Sequence, residues 1–226
     1  MIVRLHNLAA RPPALSDLEA VTELIVACER ADAGIAAVSE EEIENSWQAP
    51  GFMLRTDAWV IVTKKGQIVG YADVRQSGGY QLTSLLRVHP DYLDRGIGTL
   101  LVWLTEERAR DMMRAFPVEQ PVTLINCVCS LNERSQHLFE REGYTLARHY
   151  WSVIMREEEE RNQSCADSYQ SKRLQFDLSI DAQNFMGTPS RVVRTGMYVM
   201  HQYYVFEKEL RAGARIQQVV TQCVGA

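Results

Sequence analysis

Hydrophobic and polar positions in the first half of the chain predict two helices and four strands. Apolar residues at 18, 21, 24, 25 and 28 follow the spacing of one helical face, and a capping pattern, Ser16 with Glu19, stands at its start. A second capping pattern, Ser39 with Glu42, predicts a short helix that ends near Trp47. Runs of apolar and β-branched residues predict strands over 2–8, 58–63, 68–75 and 80–88.

The pattern continues with alternating helices and strands up to about residue 157. It predicts a helix from the glycines at 96 and 98 to about Phe116, a strand over 121–128, a helix over 132–142 closed by Gly143, and strands over 144–147 and 150–155. This order is typical of an α/β protein with a mixed, partly antiparallel central sheet flanked by helices. The long helix would link two parallel strands as a right-handed crossover.

The loop between residues 88 and 99 is the strongest candidate for chemistry. It joins an apolar strand to a helix and carries Gly96 and Gly98, which lack a Cβ and let a ligand approach the main chain. The first N–H groups of the helix have no partner inside the helix and attract anions, so the loop predicts a phosphate site. The alternative is a plain strand-to-helix turn.

Composition narrows the function classes. The formal net charge of −5 gives no support for a nucleic-acid surface. No apolar run approaches the length of a membrane span, and Met1–His6 does not have the pattern of a signal peptide, so we expect a cytoplasmic protein with no membrane partner. Five cysteines without framework spacing indicate reduced thiols; Cys127 and Cys129 are interpreted as packing residues, with a metal site as the weaker alternative. We therefore expect no metal.

Four features together resemble the GNAT superfamily of acyl-CoA-dependent N-acyltransferases over residues 2 to about 157. They are Val88-His89-Pro90, the glycine loop from Leu93 to Gly98, Asn132 placed six residues before Leu138, and Gly143-Tyr144. The resemblance implies the acyl-CoA N-acyltransferase fold. It also implies that two central strands splay apart and that acetyl-CoA, as cosubstrate, lies in the gap.

The resemblance also implies a set of cofactor-binding residues. Main-chain groups around Leu86 and Val88 would bond the pantetheine arm and polarise the thioester, and Asn132 would bond the pantetheine or order its loop. The pyrophosphate would be held by the N–H groups of Asp94, Arg95, Gly96, Ile97, Gly98 and Thr99. An amine, either a small molecule or an amino group of a peptide or protein, would attack the thioester directly.

Departures from the family pattern leave the catalytic residues open. Phe139 stands where many members have a tyrosine that protonates the leaving thiolate, and Leu93 replaces the usual Arg or Gln. Candidates for the acid and base are Asp73 and Tyr144, with Glu29, Asp32, Tyr92 and His89 as further positions; an ordinary solvated or structural role is the alternative for each. An alternative function is therefore a catalytically weak acetyl-CoA-binding module with a sensing or assembly role. Arg75 and Arg87 would favour an anionic acceptor or are surface charge.

The tail resembles part of a second copy of the same fold. The predicted organisation is a GNAT domain over 1–157, a polar linker over 158–173, and an incomplete β-α-β-β repeat over 174–226. Its ending resembles that of tandem-GNAT proteins, a group that includes mycothiol synthase; chance similarity is the alternative. The correspondences are Asn184, Arg194, Gly196 and Tyr203 with Asn132, Arg141, Gly143 and Tyr150. We expect this segment to dock on the first domain or on a second chain of a homodimer.

Overall fold

A nine-stranded mixed sheet forms the centre of the protein in the computed structural model, which describes residues 3–5, 7–34, 36, 38–155, 174–178 and 197–213. The strands are β1 (Val3–Leu5), β2 (Leu8–Arg11), β3 (Ala58–Thr63), β4 (Ile68–Gly78), β5 (Gln81–Val88), β6 (Val122–Cys129), β7 (Thr145–Met155), β8 (Leu174–Leu178) and β9 (Met197–Arg211). Their order in the sheet is β1-β2-β3-β4-β5-β6-β9-β7-β8. Of the described pairs, β5 with β6 is the parallel one. The mixed, partly antiparallel sheet predicted from the sequence is thus confirmed.

Five α-helices flank the sheet in the described part of the chain. They are α1 (Leu18–Ala33), α2 (Glu40–Trp47), α3 (Leu54–Asp57), α4 (Ile97–Met113) and α5 (Glu133–Arg141). The long α4 connects the parallel strands β5 and β6, as predicted for a crossover. The capping box at α2 is also confirmed, because Ser39 Oγ accepts from Glu42 N–H at 3.2 Å and Glu42 Oε2 accepts from Ser39 N–H at 2.9 Å.

The two faces of the sheet bury separate cores. On one face, α4 and α5 pack against the strands through a cluster that contains Ile97, Leu101 and Phe139. On the other face, α1 and α2 cover a cluster that contains Leu24, Ile25 and Trp47. Side chains alternate between these faces along each strand, so the same strand supplies residues to both layers.

The N-terminal segment differs from its prediction in two ways. The expected single strand over 2–8 is a hairpin of β1 and β2. The expected cap of α1 by Ser16 and Glu19 does not form, because a short 3-10 helix, Leu15–Asp17, precedes α1 and the N-cap residue of α1 is Asp17, whose side chain makes no hydrogen bond to the helix. The Asp17 carboxylate instead accepts from Ala14 N–H at 2.7 Å and forms a bidentate pair with Arg11.

The C-terminal strands also correct the prediction. The two short strands expected over 144–147 and 150–155 are one continuous strand, β7. Strand β9 lies between β6 and β7 and pairs with both, while β8 pairs with the outer edge of β7. These described parts of the tail therefore lie in the sheet of the first domain, one of the two placements expected. The linker over 158–173 and the positions Asn184, Arg194 and Gly196 lie outside the described residues, so the repeat and the domain division stay predictions.

Among the described residues, the helices are too short or too polar to span a membrane.

Candidate functional site

Strands β5 and β6 stop pairing halfway along their length, which opens a gap in the middle of the sheet. Their parallel register runs from Gln81 with Thr123 to Ser84 with Asn126. Beyond that point β5 continues to Val88 beside β4, and β6 continues beside β9. The gap is therefore wedge-shaped, with its closed end at the last pair.

The main chain of β5 presents hydrogen-bonding groups to this gap. His89 N–H donates to Val69 O at 3.0 Å, just beyond the pair that Val88 makes with β4. Val88 and Gly70 therefore form a non-hydrogen-bonded pair of the antiparallel ladder. The main-chain N–H and C=O of Val88 consequently point away from β4. By alternation those of Leu86 point the same way. The two residues predicted to bond a pantetheine arm thus face the gap.

The carbonyl oxygens of Leu86 and Val88 already accept hydrogen bonds from side chains. Cys28 Sγ donates to Val88 O at 3.2 Å, and Arg87 Nη1 donates to Leu86 O at 2.9 Å. The N–H groups of Leu86 and Val88 remain directed toward the gap. The edge therefore offers donors, which suit the carbonyl oxygens of an amide chain or a thioester.

The glycine loop adjoins the open end of the gap and forms the N-terminus of α4. Gly96 is the N-cap with φ of 75°, and Asp94 also has a left-handed φ of 59°. Leu100 N–H makes the first helical bond, to Gly96 O at 3.0 Å, so the N–H groups of Ile97, Gly98 and Thr99 precede it. Three converging donors and the positive end of a helix dipole make an anion site.

A single cleft of about 1390 Å³ connects the gap, the glycine loop and the C-terminal half of α1. It is lined by eight of the nine residues predicted to bind the cofactor: Leu86, Val88, Asp94, Gly96, Ile97, Gly98, Thr99 and Asn132. The ninth, Arg95, turns away, because its guanidinium donates to Asp91 O at 3.2 Å and stacks over Tyr92. The structure brings the predicted set together, and its role in binding stays a prediction.

Helix α5 adds positive charge to the loop end of the cleft. Arg141 donates to Thr99 Oγ1 at 2.7 Å, and Arg134 is paired with Asp94. Both arginine side chains are mostly exposed. Both side chains line the same cleft as the N-terminus of α4.

Asn132 links the loop end to α1. Its Oδ1 accepts from Ser135 N–H at 2.9 Å as the N-cap of α5, and its Nδ2 donates to both carboxylate oxygens of Asp32 at 2.9 and 3.0 Å. The side chain therefore uses both ends of its amide inside the protein. This arrangement favours the ordering role among the two that the sequence left open.

The α1 wall of the cleft is made of titratable side chains from four elements. They are Cys28, Glu29 and Asp32 on α1, Arg87 on β5, Cys127 and Cys129 on β6, and Tyr203 on β9. Burial raises the pKa of Cys28 to about 11 and that of Tyr203 to about 12, so both groups hold their protons at neutral pH. The cysteines of β6 line the cleft as well as packing, and Cys127 Sγ lies 2.9 Å from Tyr150 Oη.

The closed end of the gap holds a buried amide donor. Asn126 is 2 % exposed and its Oδ1 accepts from Ser84 Oγ, whereas its Nδ2 has no hydrogen bond among the described residues. The hydroxyl of Tyr144 is buried nearby and is likewise without a described hydrogen bond. Burial, reinforced by the Glu106 carboxylate, raises the pKa of Tyr144, and Asn126 partly offsets the rise. The two groups interact without reaching hydrogen-bond geometry.

The predicted catalytic candidates Asp73 and Tyr144 do not line the cleft. Asp73 is 2 % exposed, accepts from Tyr71 Oη at 2.6 Å and pairs with Arg75 at 2.8 Å. Tyr144 packs edge-on against Phe139 with ring centroids 5.1 Å apart. Asp73 thus belongs to a closed network beneath α2, and Tyr144 to the core beneath α5.

The remaining positions fall into two groups. Glu29, Asp32 and Tyr92 line the cleft, whereas His89 does not and accepts from Asp91 N–H at 3.2 Å through Nδ1. Phe139 reaches the cleft wall but is 3 % exposed and stacks on Phe206, which explains why an apolar ring fits there. Leu93 is 37 % exposed on the loop.

Several cleft residues were not identified from the sequence. Asn126 had a usable signal, since an amide stands in an otherwise apolar strand. Arg134 and Arg141 had a weaker one, since they lie on the polar face of a short amphipathic helix. Tyr203 and Cys28 had none, because their place in the cleft depends on strand order and helix packing.

Comparison with known proteins finds a family model that matches part of the chain. Residues 55–146 match the family model of the acetyltransferase (GNAT) domain. A search of curated proteins finds no match. The family model, over residues 55–146, spans the part of the sheet that carries the glycine loop and the gap.

Solved structures share the fold over nearly the whole chain. A GCN5-related N-acetyltransferase from Sphaerobacter thermophilus superposes with a TM-score of 0.77 at 21% identity, covering 92% of this chain and 97% of that one. The ribosomal-protein-S18-alanine N-acetyltransferase from Escherichia coli has a TM-score of 0.52 at 15% identity, covering 92% and 97%. A GNAT superfamily phosphinothricin acetyltransferase from Sinorhizobium meliloti, in complex with AcCoA, has a TM-score of 0.53 at 14% identity, covering 92% and 91%.

The GNAT resemblance predicted from the sequence is therefore confirmed over residues 55–146, and the solved structures show that the chain has the same fold. The likeness of the tail to tandem-GNAT proteins such as mycothiol synthase stays a prediction.

Proposed function

We propose that this protein transfers an acetyl group from acetyl-CoA to the amino group of an acceptor by direct attack. The observation that carries the proposal is the wedge-shaped gap between β5 and β6, which shares one cleft with the N-terminus of α4. A ligand that joins a phosphate group to a long amide chain and a thioester fits this geometry, and acetyl-CoA is such a ligand. The Sinorhizobium meliloti neighbour is described in complex with AcCoA.

Each part of acetyl-CoA has a matching group in the cleft. The N–H groups of Ile97, Gly98 and Thr99 hold the pyrophosphate, while Arg134 and Arg141 face the outer phosphates. The N–H groups of Leu86 and Val88 bond the pantetheine amides in the way a neighbouring strand would. The amide of Asn126, a buried donor at the closed end, is placed to stabilise the oxyanion that forms on the thioester carbonyl.

The acceptor is placed on the α1 side of the sheet, because the carboxylates that line the cleft as possible bases, Glu29 and Asp32, lie on α1. The neutral amine adds to the thioester carbonyl, the carbon–sulfur bond breaks, and the electron pair leaves on the CoA sulfur. The α1 carboxylates Glu29 and Asp32 both line the cleft, and Asp32 is also bonded by Asn132. One of these two carboxylates receives the amine proton.

The leaving thiolate needs little help. A thiol with a pKa of about 8 to 9 leaves readily as the thiolate, so catalysis can proceed without the tyrosine that Phe139 replaces. The alternative function is an acetyl-CoA-binding module with a sensing or assembly role. It is favoured by Phe139, because its buried ring removes a proton donor from the cleft.

Calorimetry and a thiol-release assay distinguish the two functions. We expect acetyl-CoA to bind with a one-to-one stoichiometry and at least one amine in a broad panel to release free CoA at a rate above hydrolysis. Binding without turnover on any amine would support the binding module. No binding of acetyl-CoA would contradict both functions.

A further inference from the structure

Arg87 is a charged side chain in the cleft that has no ion pair with any residue the structure describes. It lies on β5 opposite Tyr71, and its side chain lines the cleft on the α1 side. It is partly buried, and its one hydrogen bond goes to the neutral carbonyl of Leu86. Within the part of the chain that the structure describes, no carboxylate lies within 4.0 Å of its guanidinium.

Arg75 lies on the same face of the sheet as Arg87 and, unlike Arg87, is neutralised by an ion pair. Its guanidinium donates to Asp73 at 2.8 Å and to Ser46, and it packs over the ring of Phe52 at 4.1 Å. The chain thus builds a full set of partners for one of the two arginines. Because arginine stays charged at every accessible pH, the lack of such partners at Arg87 leaves a charge that a ligand can satisfy.

The groups that face Arg87 do not neutralise it. Burial raises the pKa of Cys28, Cys129 and Tyr203, and the Arg87 guanidinium counteracts the rise at each, which places it near all three. These thiols and this phenol are uncharged at neutral pH. The α1 carboxylates lie on the same wall, where Asp32 is bonded to Asn132.

The phosphates of the cosubstrate are not suited to be the missing partner. They would bind at the N-terminus of α4, and α4 packs on the face of the sheet opposite to α1. Side chains alternate between faces along a strand, so Arg87 points to the α1 side, from which an acceptor approaches. The missing anion therefore belongs to the acceptor.

We propose that Arg87 binds a carboxylate of the acceptor, so that the protein acetylates amino acids or other amines that carry an acid group. This inference rests on the proposed function. A guanidinium pairs with a carboxylate through two parallel hydrogen bonds, which fixes the acceptor in one orientation. The carboxylates of Glu29 and Asp32 on the same wall attract the ammonium end, so the cleft is complementary to a molecule that bears both charges.

The test uses matched acceptors and matched variants of the full chain. The acceptors are α- and ω-amino acids, each compared with its carboxamide, which keeps the amine and removes the negative charge. Aminoalkylphosphonates form a third arm that separates a carboxylate from a phosphorus oxyanion. The variants are Arg87→Gln and Arg87→Lys, with Arg114→Gln as a control for net charge, since Arg114 is exposed and lies outside the cleft.

We expect kcat/KM for the preferred amino acid to exceed that for its carboxamide by about 10- to 100-fold, as a charge-assisted pair would give. Arg87→Gln should abolish this preference by lowering kcat/KM for the amino acid and not for its carboxamide. Arg87→Lys should retain part of the preference, and Arg114→Gln all of it.

Binding measurements give a result even without turnover. Calorimetry of the CoA-loaded protein should detect the amino acid and not its carboxamide. Equal kcat/KM for the amino acid and its carboxamide in the wild type would overturn the inference and leave the proposed function intact. An unchanged preference for the amino acid in Arg87→Gln would do the same. A preference for the phosphonate arm would overturn the choice of a carboxylate. Loss of acetyl-CoA binding in the wild type would instead contradict the proposed function.

Discussion

The two ends of the cleft are built in different ways. At the loop end, binding groups come from consecutive main-chain N–H groups of Ile97, Gly98 and Thr99. At the α1 wall they come from side chains on four elements, with Glu29 and Arg87 as its opposite charges. A main-chain site keeps its function when neighbouring side chains change, whereas a side-chain site does not. The comparison explains how Leu93 can differ from the family pattern at the loop, while the proposed acceptor preference depends on the wall.

The largest expected effect comes from placing a negative charge in the glycine loop. Gly96→Asp and Gly96→Asn have nearly the same shape, and both residues tolerate the left-handed φ of 75° at this position. We expect Gly96→Asp to weaken acetyl-CoA binding by about 100-fold or more, because a carboxylate would face the pyrophosphate. Gly96→Asn should bind far more tightly than Gly96→Asp in the same calorimetric titration. Equal affinities would mean that the loop holds no phosphate.

A second variant probes the network behind the wall. Asp73→Asn removes the charge that neutralises Arg75, whose side chain is 25% exposed, and we expect the free energy of unfolding to fall by about 3 kcal/mol. Urea unfolding measures this loss. Asp111→Asn, which breaks the exposed pair with Arg114, is the control and should cost less than about 1 kcal/mol. Lost turnover at unchanged stability would instead restore Asp73 as a catalytic residue.

A third set tests the link between the two ends. Asn132→Asp keeps an acceptor for Ser135 N–H but sets a second carboxylate against Asp32, and we expect about 1 to 2 kcal/mol of lost stability. Adding Asp32→Asn exchanges donor and acceptor and should recover most of the loss. Denaturant unfolding of the two single variants and the double variant gives the coupling. Additive losses would show that the contact carries no energy.

The smallest expected effect is a pH dependence from the wall. Burial raises the pKa of Cys28 from 9.0 to about 11, so the folded protein holds this proton more tightly than the unfolded chain does. The resulting stability is complete below about pH 9 and is lost as pH rises toward 11, at up to about 1.4 kcal/mol per pH unit. The free energy of unfolding from urea titrations should therefore fall between pH 8 and about 9.7 by about 1 kcal/mol more in the wild type than in Cys28→Ser. Parallel pH profiles would show that the thiol does not contribute.

Local signals in the sequence predicted the loop end well. The glycines at 96 and 98, the crossover helix and the capping box at Ser39 all depend on residues a few positions apart, and the structure has each of them. The GNAT resemblance rests on the same local motifs.

The sequence named Glu29, Asp32 and Arg87 as candidates, but local signals could not predict that they form one wall. Asp32 meets Asn132 across 100 positions, and Tyr203 reaches the cleft only because β9 enters the sheet between β6 and β7. The sequence also treated Arg75 and Arg87 alike, since nothing local shows that Asp73 neutralises one of them. Side-chain sites made by long-range packing need the strand order before they can be recognised.

A crystal structure of the protein with acetyl-CoA tests the central claim most directly. We expect the pantetheine arm to lie between β5 and β6, bonded to the N–H groups of Leu86 and Val88. The thioester should reach Asn126, and the pyrophosphate should lie on the N–H groups of residues 97–99. Acetyl-CoA bound elsewhere, or a gap closed by pairing of residues 85–88 with residues 127–129, would contradict the account.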